Sequence, residues 1–346
     1  PNCSCYQPLA PPWGAAFDPV GVARVDLSSI LPGSKGLPVF VIDPEFTNPH
    51  TDRLTLSVER EVIPGVSAQL DFTWAKGYNL ERLTDANRAY DGTVSVNGQP
   101  HYSSNRPNPF YLGITESKSD ARAEYRALAF QASRRFTHNF GAGVAVTYSE
   151  DRDSDSNERN FGGIQAEDFN NLNGSYSWSN RDQRWRATAN AVWQSPYWGL
   201  GVAGAVRFNT GSPYTGLVGG NSDFNGDGQP GTDRPTLGCV PVGTGTQIDC
   251  SNGQHLARNS FRQPSFYTVD LRLTKAIAVG PGSLTLALDC FNCTNTGNKF
   301  VSQTTYGQVP RRSPGGPVIE TPNPGFGNAN NPGTPFTGQV SVRYDF

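Results

Sequence analysis

The 346-residue sequence has a formal net charge of −2 at pH 7, and only 36% of its residues are hydrophobic. No cluster of Lys and Arg stands out, so the sequence lacks the electrostatic footprint of a nucleic-acid-binding protein. No run of 18 consecutive apolar residues occurs, which excludes a transmembrane helix but not a membrane barrel, whose strands alternate apolar and polar side chains. The 38 Gly, the 27 Pro and an aromatic content of 11% favour many strands joined by turns and large loops.

The amino-terminal segment shows little regular patterning. Residues 1–50 are predicted to be loop-rich, with one possible strand near Val20–Ile30. The sequence contains no Met, and the start Pro1-Asn2-Cys3-Ser4-Cys5 lacks the basic and apolar regions of a signal peptide. We therefore expect a processed product or a fragment, with residues 51–346 forming the main folded unit.

From residue 51 onward, apolar and polar residues alternate with a period of two, which predicts strands with one apolar face. The clearest example is the hairpin 51–78, whose two strands meet at Pro64-Gly65. Further predicted strands cover 121–136, 144–149, 184–193, 200–208, 267–274, 284–288 and 340–346. The fold class is therefore all-β, with helices scarce.

The connections between these strands alternate strictly in length. The short ones lie at Pro64-Gly65, 137–141, 195–198 and 279–282, and the long ones at 79–120, about 154–182, 211–264 and 293–335. Short periplasmic turns alternating with long extracellular loops are typical of outer-membrane barrels, whereas a soluble sandwich has no reason to keep this rule. The sequence therefore predicts an antiparallel transmembrane β-barrel in contact with outer-membrane lipid and lipopolysaccharide.

The end of the chain gives an independent check on orientation. If the short turns are periplasmic, the last strand runs inward and ends in the periplasm at Phe346. Tyr344 and Phe346 resemble the terminal signal read by the barrel-assembly machinery. We therefore expect the chain in the bacterial outer membrane with a periplasmic carboxy terminus.

The six cysteines fall into three local pairs without the partner sets of a zinc site. Disulfides in an oxidising compartment are the favoured interpretation, and free thiols are the alternative. Cys239 and Cys250 are predicted to close a surface loop. Cys290 with Cys293 and Cys3 with Cys5 are further candidates, although their short spacing is unfavourable for bridge geometry.

One loop has the pattern of a calcium-binding segment, with oxygen ligands at alternate positions and Gly226 for a sharp turn. Its predicted ligands are Asp223, Asn225, Asp227 and Asp233. The twelfth position is Arg234 rather than Glu, so Asp233 would be the closing carboxylate. The alternative is a polar Gly/Asp turn without an ion.

The remaining polar residues have simpler interpretations. The charged residues Arg184, Arg186, Arg207, Asp270, Arg272 and Asp289 are predicted to face the lumen and to pair with one another or with a plug. The acidic run Asp151, Asp153, Asp155 and Glu158 is predicted to be solvated. No Ser/His/Asp constellation, phosphate-binding glycine loop or paired-carboxylate site is recognisable, so catalysis has no support.

Several motifs along residues 40–346 together resemble the barrel of Oar-like TonB-dependent receptors. They are DPEFTNP (43–49), SVERE (57–61), KGYNL (76–80), RFNTGSPY (207–214), the segment 223–235, RNSFR (258–262) and DCFNCTN (289–295). The resemblance implies a 22-stranded barrel closed by an amino-terminal plug and opened by energy passed through TonB. The sequence predicts about ten strands and contains no plug or TonB box, so we expect the rest of the wall on another segment or chain.

Two functions are compatible with these observations. The first is TonB-dependent transport of a bulky substrate such as a peptide, protein, glycan or chelate. The second is a structural or adhesive barrel that presents calcium- and disulfide-braced surface loops without active transport. The resemblance favours transport, and the sequence leaves the substrate open.

Overall fold

The computed structural model describes residues 37–156, 164, 166–219, 223–229, 231–307, 310–320 and 322–346. The strands in these residues are β1 (Leu37–Ile42), β2 (His50–Ile63), β3 (Val66–Asp85), β4 (Tyr90–Val94), β5 (Pro100–Tyr102), β6 (Tyr111–Thr137), β7 (Phe140–Asp153), β8 (Ser177–Trp178), β9 (Trp185–Gln194), β10 (Leu200–Asn209), β11 (Pro213–Tyr214), β12 (Thr236–Leu237), β13 (Val240–Pro241), β14 (Ile248–Asp249), β15 (Gln254–His255), β16 (Phe261–Arg262), β17 (Phe266–Val279), β18 (Gly282–Phe291), β19 (Phe300–Val301), β20 (Ala329–Asn331) and β21 (Thr337–Asp345). A 3-10 turn at Leu172–Gly174 accompanies them. The predicted strand near Val20–Ile30, the Cys3–Cys5 pair and Glu158 lie outside the described residues.

The long strands form one antiparallel sheet, which we call the wall, and this confirms the predicted all-β class. Its order is β2-β3-β6-β7-β9-β10-β17-β18-β21, and each strand pairs with its neighbour along the chain. The short strands β1 and β8 join this sheet by pairing with β6 and β7. Within the described residues, β2 and β21 are the two ends of the path. Among these residues, no helix is long and apolar enough to cross a membrane.

The register of the wall places its apolar side chains on one face. Cross-strand pairing aligns Leu56, Phe72, Leu128, Tyr148 and Trp185 in one continuous row. The next row on the same face contains Val58, Leu70, Phe130, Val146, Ala187, Phe208 and Tyr267. Most of these large apolar side chains are exposed, which suits a surface that contacts lipid. The period-two patterns of separate strands therefore combine into one apolar face.

The opposite face of the wall is polar. A groove of about 280 Å³ on this face is lined by residues that include Glu59, Gln69, Gln131, Thr188 and Asn190. Further along the wall, Arg272 Nη2 donates to Asp289 Oδ2 at 2.8 Å across β17 and β18. The predicted pairing of inward-facing charges is confirmed for these two residues. The prediction was wrong for Arg184, whose guanidinium pairs with Glu150 and lies 3.7 Å from the Trp178 ring centroid, on the side of the apolar row that contains Tyr148. This face has the properties of a barrel lumen.

The alternation of connection lengths is confirmed, with one correction to the predicted loop at 79–120. The strands β3 and β6 are 20 and 27 residues long, so residues 79–85 and 111–120 belong to strands rather than to a loop. A strand needs only about 9–11 residues to cross a membrane, so both strands extend well beyond it. In these extensions, 79–85 and 111–120, the side chains face other protein segments instead of lipid. The alternation of apolar and polar residues that indicates a membrane strand is therefore absent from them. At this end β1 pairs in parallel with β6.

Candidate functional site

Four long connections gather at one end of the wall and form a folded unit, which we call the loop assembly. Its members are 86–110, 154–184, 210–265 and 292–336, as far as these ranges are described. Buried side chains of the structure concentrate here and not on the wall; examples are Tyr102, Phe169 and Asn225. We call this end of the wall the long-loop end, and the opposite end the short-turn end.

Glu167 lies at the centre of the loop assembly. Its side chain is 1% exposed, and its Oε1 accepts a hydrogen bond from the Arg234 backbone N–H at 2.8 Å. Its Oε2 lies 2.6 Å from Arg234 Nε and 2.7 Å from His255 Nε2. Burial raises the pKa of Glu167, but the hydrogen bond to His255 and the charge of Arg234 outweigh burial and hold that pKa below its ordinary value. The carboxylate is therefore charged and neutralised within the protein.

Polar contacts extend from Glu167 to loop 86–110. His255 Nδ1 lies 2.8 Å from Thr236 Oγ1, and Thr236 Oγ1 donates to the Asn97 carbonyl. The side chain of Asn97 also donates to Glu167 Oε1 at 3.3 Å. Loops 86–110, 154–184 and 210–265 each contribute one or more of these groups. The network therefore holds three loops in one fixed arrangement.

A small apolar core packs beside this network. Tyr102 and Phe169 are 1% and 0% exposed, and their ring centroids are 4.7 Å apart. Leu83, from the extended end of β3, belongs to the same cluster. The Tyr102 hydroxyl donates to Asp168 at 2.7 Å, and burial together with this bond raises the pKa of Tyr102 far above its ordinary value. The core thereby attaches the loop assembly to the wall.

The fourth loop joins through aromatic contacts. Tyr214 and Phe261, on the paired strands β11 and β16, lie against Phe326. Tyr306 completes the cluster at 5.0 Å from the Phe326 ring centroid. Loop 292–336 is therefore packed on loop 210–265 at the end of β10 and β17.

The acidic run after β7 corrects an expectation from the sequence. Asp153 was predicted to be solvated, but it is 1% exposed and forms an ion pair with Arg258. The Arg258 Nε group also donates to the Ser175 carbonyl at 2.9 Å. Asp153 and Arg258 are more than a hundred residues apart in the sequence, so no local sequence pattern predicts this ion pair. Glu167 also lies in no recognisable motif, and its partners Arg234 and His255 are 67 and 88 residues away in the sequence.

The predicted calcium loop lies against the Glu167 network. Asn225, Asp227 and Asp233 are each 1% exposed, and Asn225 Nδ2 donates to the Glu167 carbonyl at 2.6 Å. Asp223 is more exposed, and its Oδ2 accepts a hydrogen bond from the Gly228 backbone at 2.8 Å. The structure thus brings three of the four predicted ligands into the interior of the loop assembly, with Asp223 at its edge.

Two carboxylate oxygens in this loop lack hydrogen-bond partners among the described residues. They are Asp227 Oδ2 and Asp233 Oδ1, both buried. Burial raises the pKa of each of these carboxyl groups to about 7. The charge of Asp223 also raises the pKa of both groups, and the charge of Asp227 raises that of Asp233. Within the described part of the chain, no group of three or more His, Cys, Asp or Glu side chains is arranged to hold a metal ion. A calcium site here must therefore combine two carboxylates with amide or backbone oxygens.

A polar cavity of about 300 Å³ lies between loops 154–184 and 210–265. Charged and polar groups line it, including Glu167, Arg234, Arg258, Asn259 and Thr215. The guanidinium groups of Arg234 and Arg258 are held by buried carboxylates, so the cavity wall is rigid.

Both predicted disulfides in the described residues are present. Cys239–Cys250 joins the small hairpin of β13 and β14 to the paired strands β12 and β15, which carry Thr236 and His255. Cys290–Cys293 closes a short segment after β18. The pairing of Cys239 with Cys250 therefore supports the same strands that reach Glu167.

We expect loss of the Cys239–Cys250 bridge to lower the stability of its loop by about 2–3 kcal/mol, because a closed loop of this length restricts the unfolded chain. The Cys239→Ser/Cys250→Ser variant should exchange the amide hydrogens of residues 236–255 faster. A Cys290→Ser/Cys293→Ser variant serves as control, since it should leave that region unchanged. Equal exchange in both variants would contradict the expected role.

The apolar outer rows, the polar inner face and the alternation of connections together define a transmembrane β-barrel wall. A sequence model described as "Outer membrane beta barrel domain" matches residues 5–317, and the chain belongs to that family. It is therefore an outer-membrane barrel protein. Comparison with curated proteins gave no match.

Two solved structures are similar to the chain. They are the outer membrane transporter YddB from Escherichia coli and the FrpB iron transporter from Neisseria meningitidis (F3-3 variant), each 12% identical with a TM-score of 0.44. The matches cover 89% and 88% of this chain but only 34% and 32% of those chains. The chain thus spans about a third of the length of these transporters.

Proposed function

We propose that the chain supplies barrel wall and extracellular loops to an Oar-like, TonB-dependent transporter of a bulky substrate such as a peptide, protein, glycan or chelate. In this proposal the long-loop end faces the cell exterior. The last strand then ends in the periplasm, where Tyr344 and Phe346 would present the signal to the barrel-assembly machinery. Membership of the outer-membrane barrel family and the ordered motifs of residues 40–346 support this assignment.

The observation that carries the proposal is the folded state of the loop assembly. Loops that only connect strands need no buried charges, because water satisfies their polar groups. Here Glu167 and Arg234 are buried against each other, and a polar cavity lies beside them. A rigid polar concavity above a polar lumen is the arrangement that a receptor needs to bind a substrate before transport.

The open ends of the wall support the view that more strands complete the barrel. The outer edges of β2 and β21 have no partner strand among the described residues. Unpaired backbone groups cannot stay exposed to lipid, since each costs several kcal/mol there. We propose that further strands, on another segment or chain, pair with both edges, and that a plug domain connects the protein to TonB.

The test is whether TonB binds the complete protein. The full-length protein, purified in detergent, should retain the carboxy-terminal domain of TonB on an affinity column, and residues 37–346 alone should not. If the full reading frame contains no plug and no TonB box, and the protein does not bind TonB, the transport proposal fails. The alternative, a structural or adhesive barrel with braced surface loops, would then be favoured.

We also propose that calcium binds in the 223–233 loop through Asp227, Asp233 and Asn225, with Asp223 at the edge of the site. The support is the pair of buried carboxylate oxygens without partners among the described residues, together with the charge of Asp227, which raises the pKa of Asp233. A hard cation with oxygen ligands is the species that such a site attracts. The ion would neutralise two charges next to the Glu167 network.

Calcium on the order of 1 mM, the range of extracellular calcium modules, is expected to protect residues 223–236 from proteolysis. The Asp227→Asn/Asp233→Asn variant should lose this protection, because it removes the charges that attract the ion. Asp249→Asn is the matched control, since Asp249 lies on the same long loop but outside the site. Protection that is absent, or equal in the Asn variant, would contradict the proposal.

A further inference from the structure

The lipid-facing side of the wall changes character near the long-loop end of β3, β6 and β7. Beyond the apolar row of Leu56, Phe72, Leu128 and Tyr148, the next two rows align Leu54, Trp74, Arg126 and Glu150, and then Asp52, Lys76, Glu124, Arg152 and Trp178. Two residues along a strand span roughly 7 Å. A charged belt therefore begins about 7 Å from this apolar row, on the same face, and its second row lies about 14 Å away.

The cations of this belt are held by aromatic rings. Arg152 Cζ lies 3.7 Å from the centroid of Trp178. Arg122, on β6 two residues from Glu124 toward the long-loop end, has its Cζ 4.3 Å from the centroid of Tyr176. Lys76 Nζ lies 4.9 Å from the centroid of Tyr78. Stacking on an aromatic ring fixes the plane of a guanidinium group, and the N–H groups at its edge remain available for hydrogen bonds to a ligand.

Neighbouring arginines form ion pairs with carboxylates, whereas Lys76, Arg122 and Arg152 do not do so within the described residues. Arg126 pairs with Glu124, and Arg184, which covers the other side of Trp178 at 3.7 Å, pairs with Glu150 and Asp182. The ion pairs found among the described residues include none with Lys76, Arg122 or Arg152, although Glu124 lies beside Lys76 and Arg152 in the register.

Tyr176, the stacking partner of Arg122, is influenced by the charges of all three cations. Burial and the charge of Glu124 raise the pKa of Tyr176, while the charges of Arg122, Arg152 and Lys76 oppose that shift. The three cations thus lie near enough to one another to act on the same group.

We propose that Lys76, Arg122 and Arg152 form a binding site on the lipid-facing surface for the phosphate groups of a membrane glycolipid. Arginine forks match phosphate oxygens, and each cation near a membrane surface contributes about 1 kcal/mol of attraction to an anionic lipid. Lys76 on β3 and Arg152 on β7 are two strand spacings apart, roughly 10 Å. This span fits a headgroup with two phosphates better than a headgroup with one.

The choice of a glycolipid of the outer leaflet rests on the proposed orientation, because only then does the long-loop end lie at that leaflet. The existence of a site for lipid phosphate does not depend on transport. Failure of TonB binding would therefore leave the lipid site untouched, and loss of the lipid site would leave the transport proposal untouched.

The experiment measures lipid bound to the purified full-length protein in detergent by native mass spectrometry. Four probes are added separately: diphosphorylated lipid A, dephosphorylated lipid A, phosphatidylglycerol and inorganic phosphate. We expect the wild-type protein to bind diphosphorylated lipid A best. The Arg122→Gln/Arg152→Gln variant should bind it at least about tenfold more weakly, because two charged contacts are lost.

Two further variants keep the result interpretable. Arg122→Lys/Arg152→Lys preserves the charges and should retain most of the binding, which separates lost attraction from misfolding. Arg207→Gln, on the inner face, should bind lipid A as the wild type does. Equal binding of dephosphorylated lipid A, unchanged binding by the Gln variant, or equally tight binding of inorganic phosphate would each overturn the site. A preference for phosphatidylglycerol would overturn the glycolipid assignment and favour the opposite orientation.

Discussion

Substitution of Glu167 by Gln is expected to destabilise the loop assembly by about 3–5 kcal/mol, the usual effect of removing one partner from a buried ion pair. Arg234, whose side chain is 6% exposed, would then keep its charge without a counter-ion. His255 would also lose its carboxylate partner. Because each 1.4 kcal/mol is a factor of ten, the open form of the loops should become roughly two to four orders of magnitude more populated.

Hydrogen exchange in lipid vesicles would measure this opening. We expect faster exchange in residues 97–102, 166–170 and 231–236, with the paired strands of the wall unchanged. Glu45→Gln is the control, since Glu45 is exposed and outside the network. Unchanged exchange in these loops would show that the Glu167 network does not hold the loop assembly together.

The second large effect is expected on the wall, where Leu128→Arg should lower the stability of the membrane-embedded barrel by about 2–4 kcal/mol. Leu128 lies between Phe72 and Tyr148 in the apolar row and is 48% exposed. An arginine at this point would place a charge in the hydrocarbon region of the bilayer.

The neighbouring substitution Ala129→Arg is the matched control. Ala129 faces the other side of β6, between Asp71 and Thr147, so a new charge there would meet a polar lumen and a carboxylate. In urea unfolding in lipid vesicles, Ala129→Arg should therefore lower the free energy of unfolding much less than Leu128→Arg does. Equal losses of stability would contradict the assignment of the lipid-facing side.

The sequence was enough to predict the wall because its signals are local. The period of two in residues such as Leu70, Phe72 and Trp74, and the turn at Pro64-Gly65, indicate strands, turns and the apolar face without any knowledge of distant contacts. The alternation of short and long connections then predicted the barrel class, and the family match confirms that class. The spacing of Cys239 and Cys250 likewise predicted a bridge that the structure contains.

Only the tertiary structure revealed the loop assembly and the belt of cations. Glu167 meets Arg234 and His255 across 67 and 88 residues, and such pairs leave no periodic trace in a sequence. Lys76, Arg152 and Trp178 come together because the register of four strands aligns them. The sequence by itself determined the strands, their faces and the class of barrel, since these depend on neighbouring residues. The structure decided which charges are buried and which stay available to a ligand, because burial depends on contacts between distant loops.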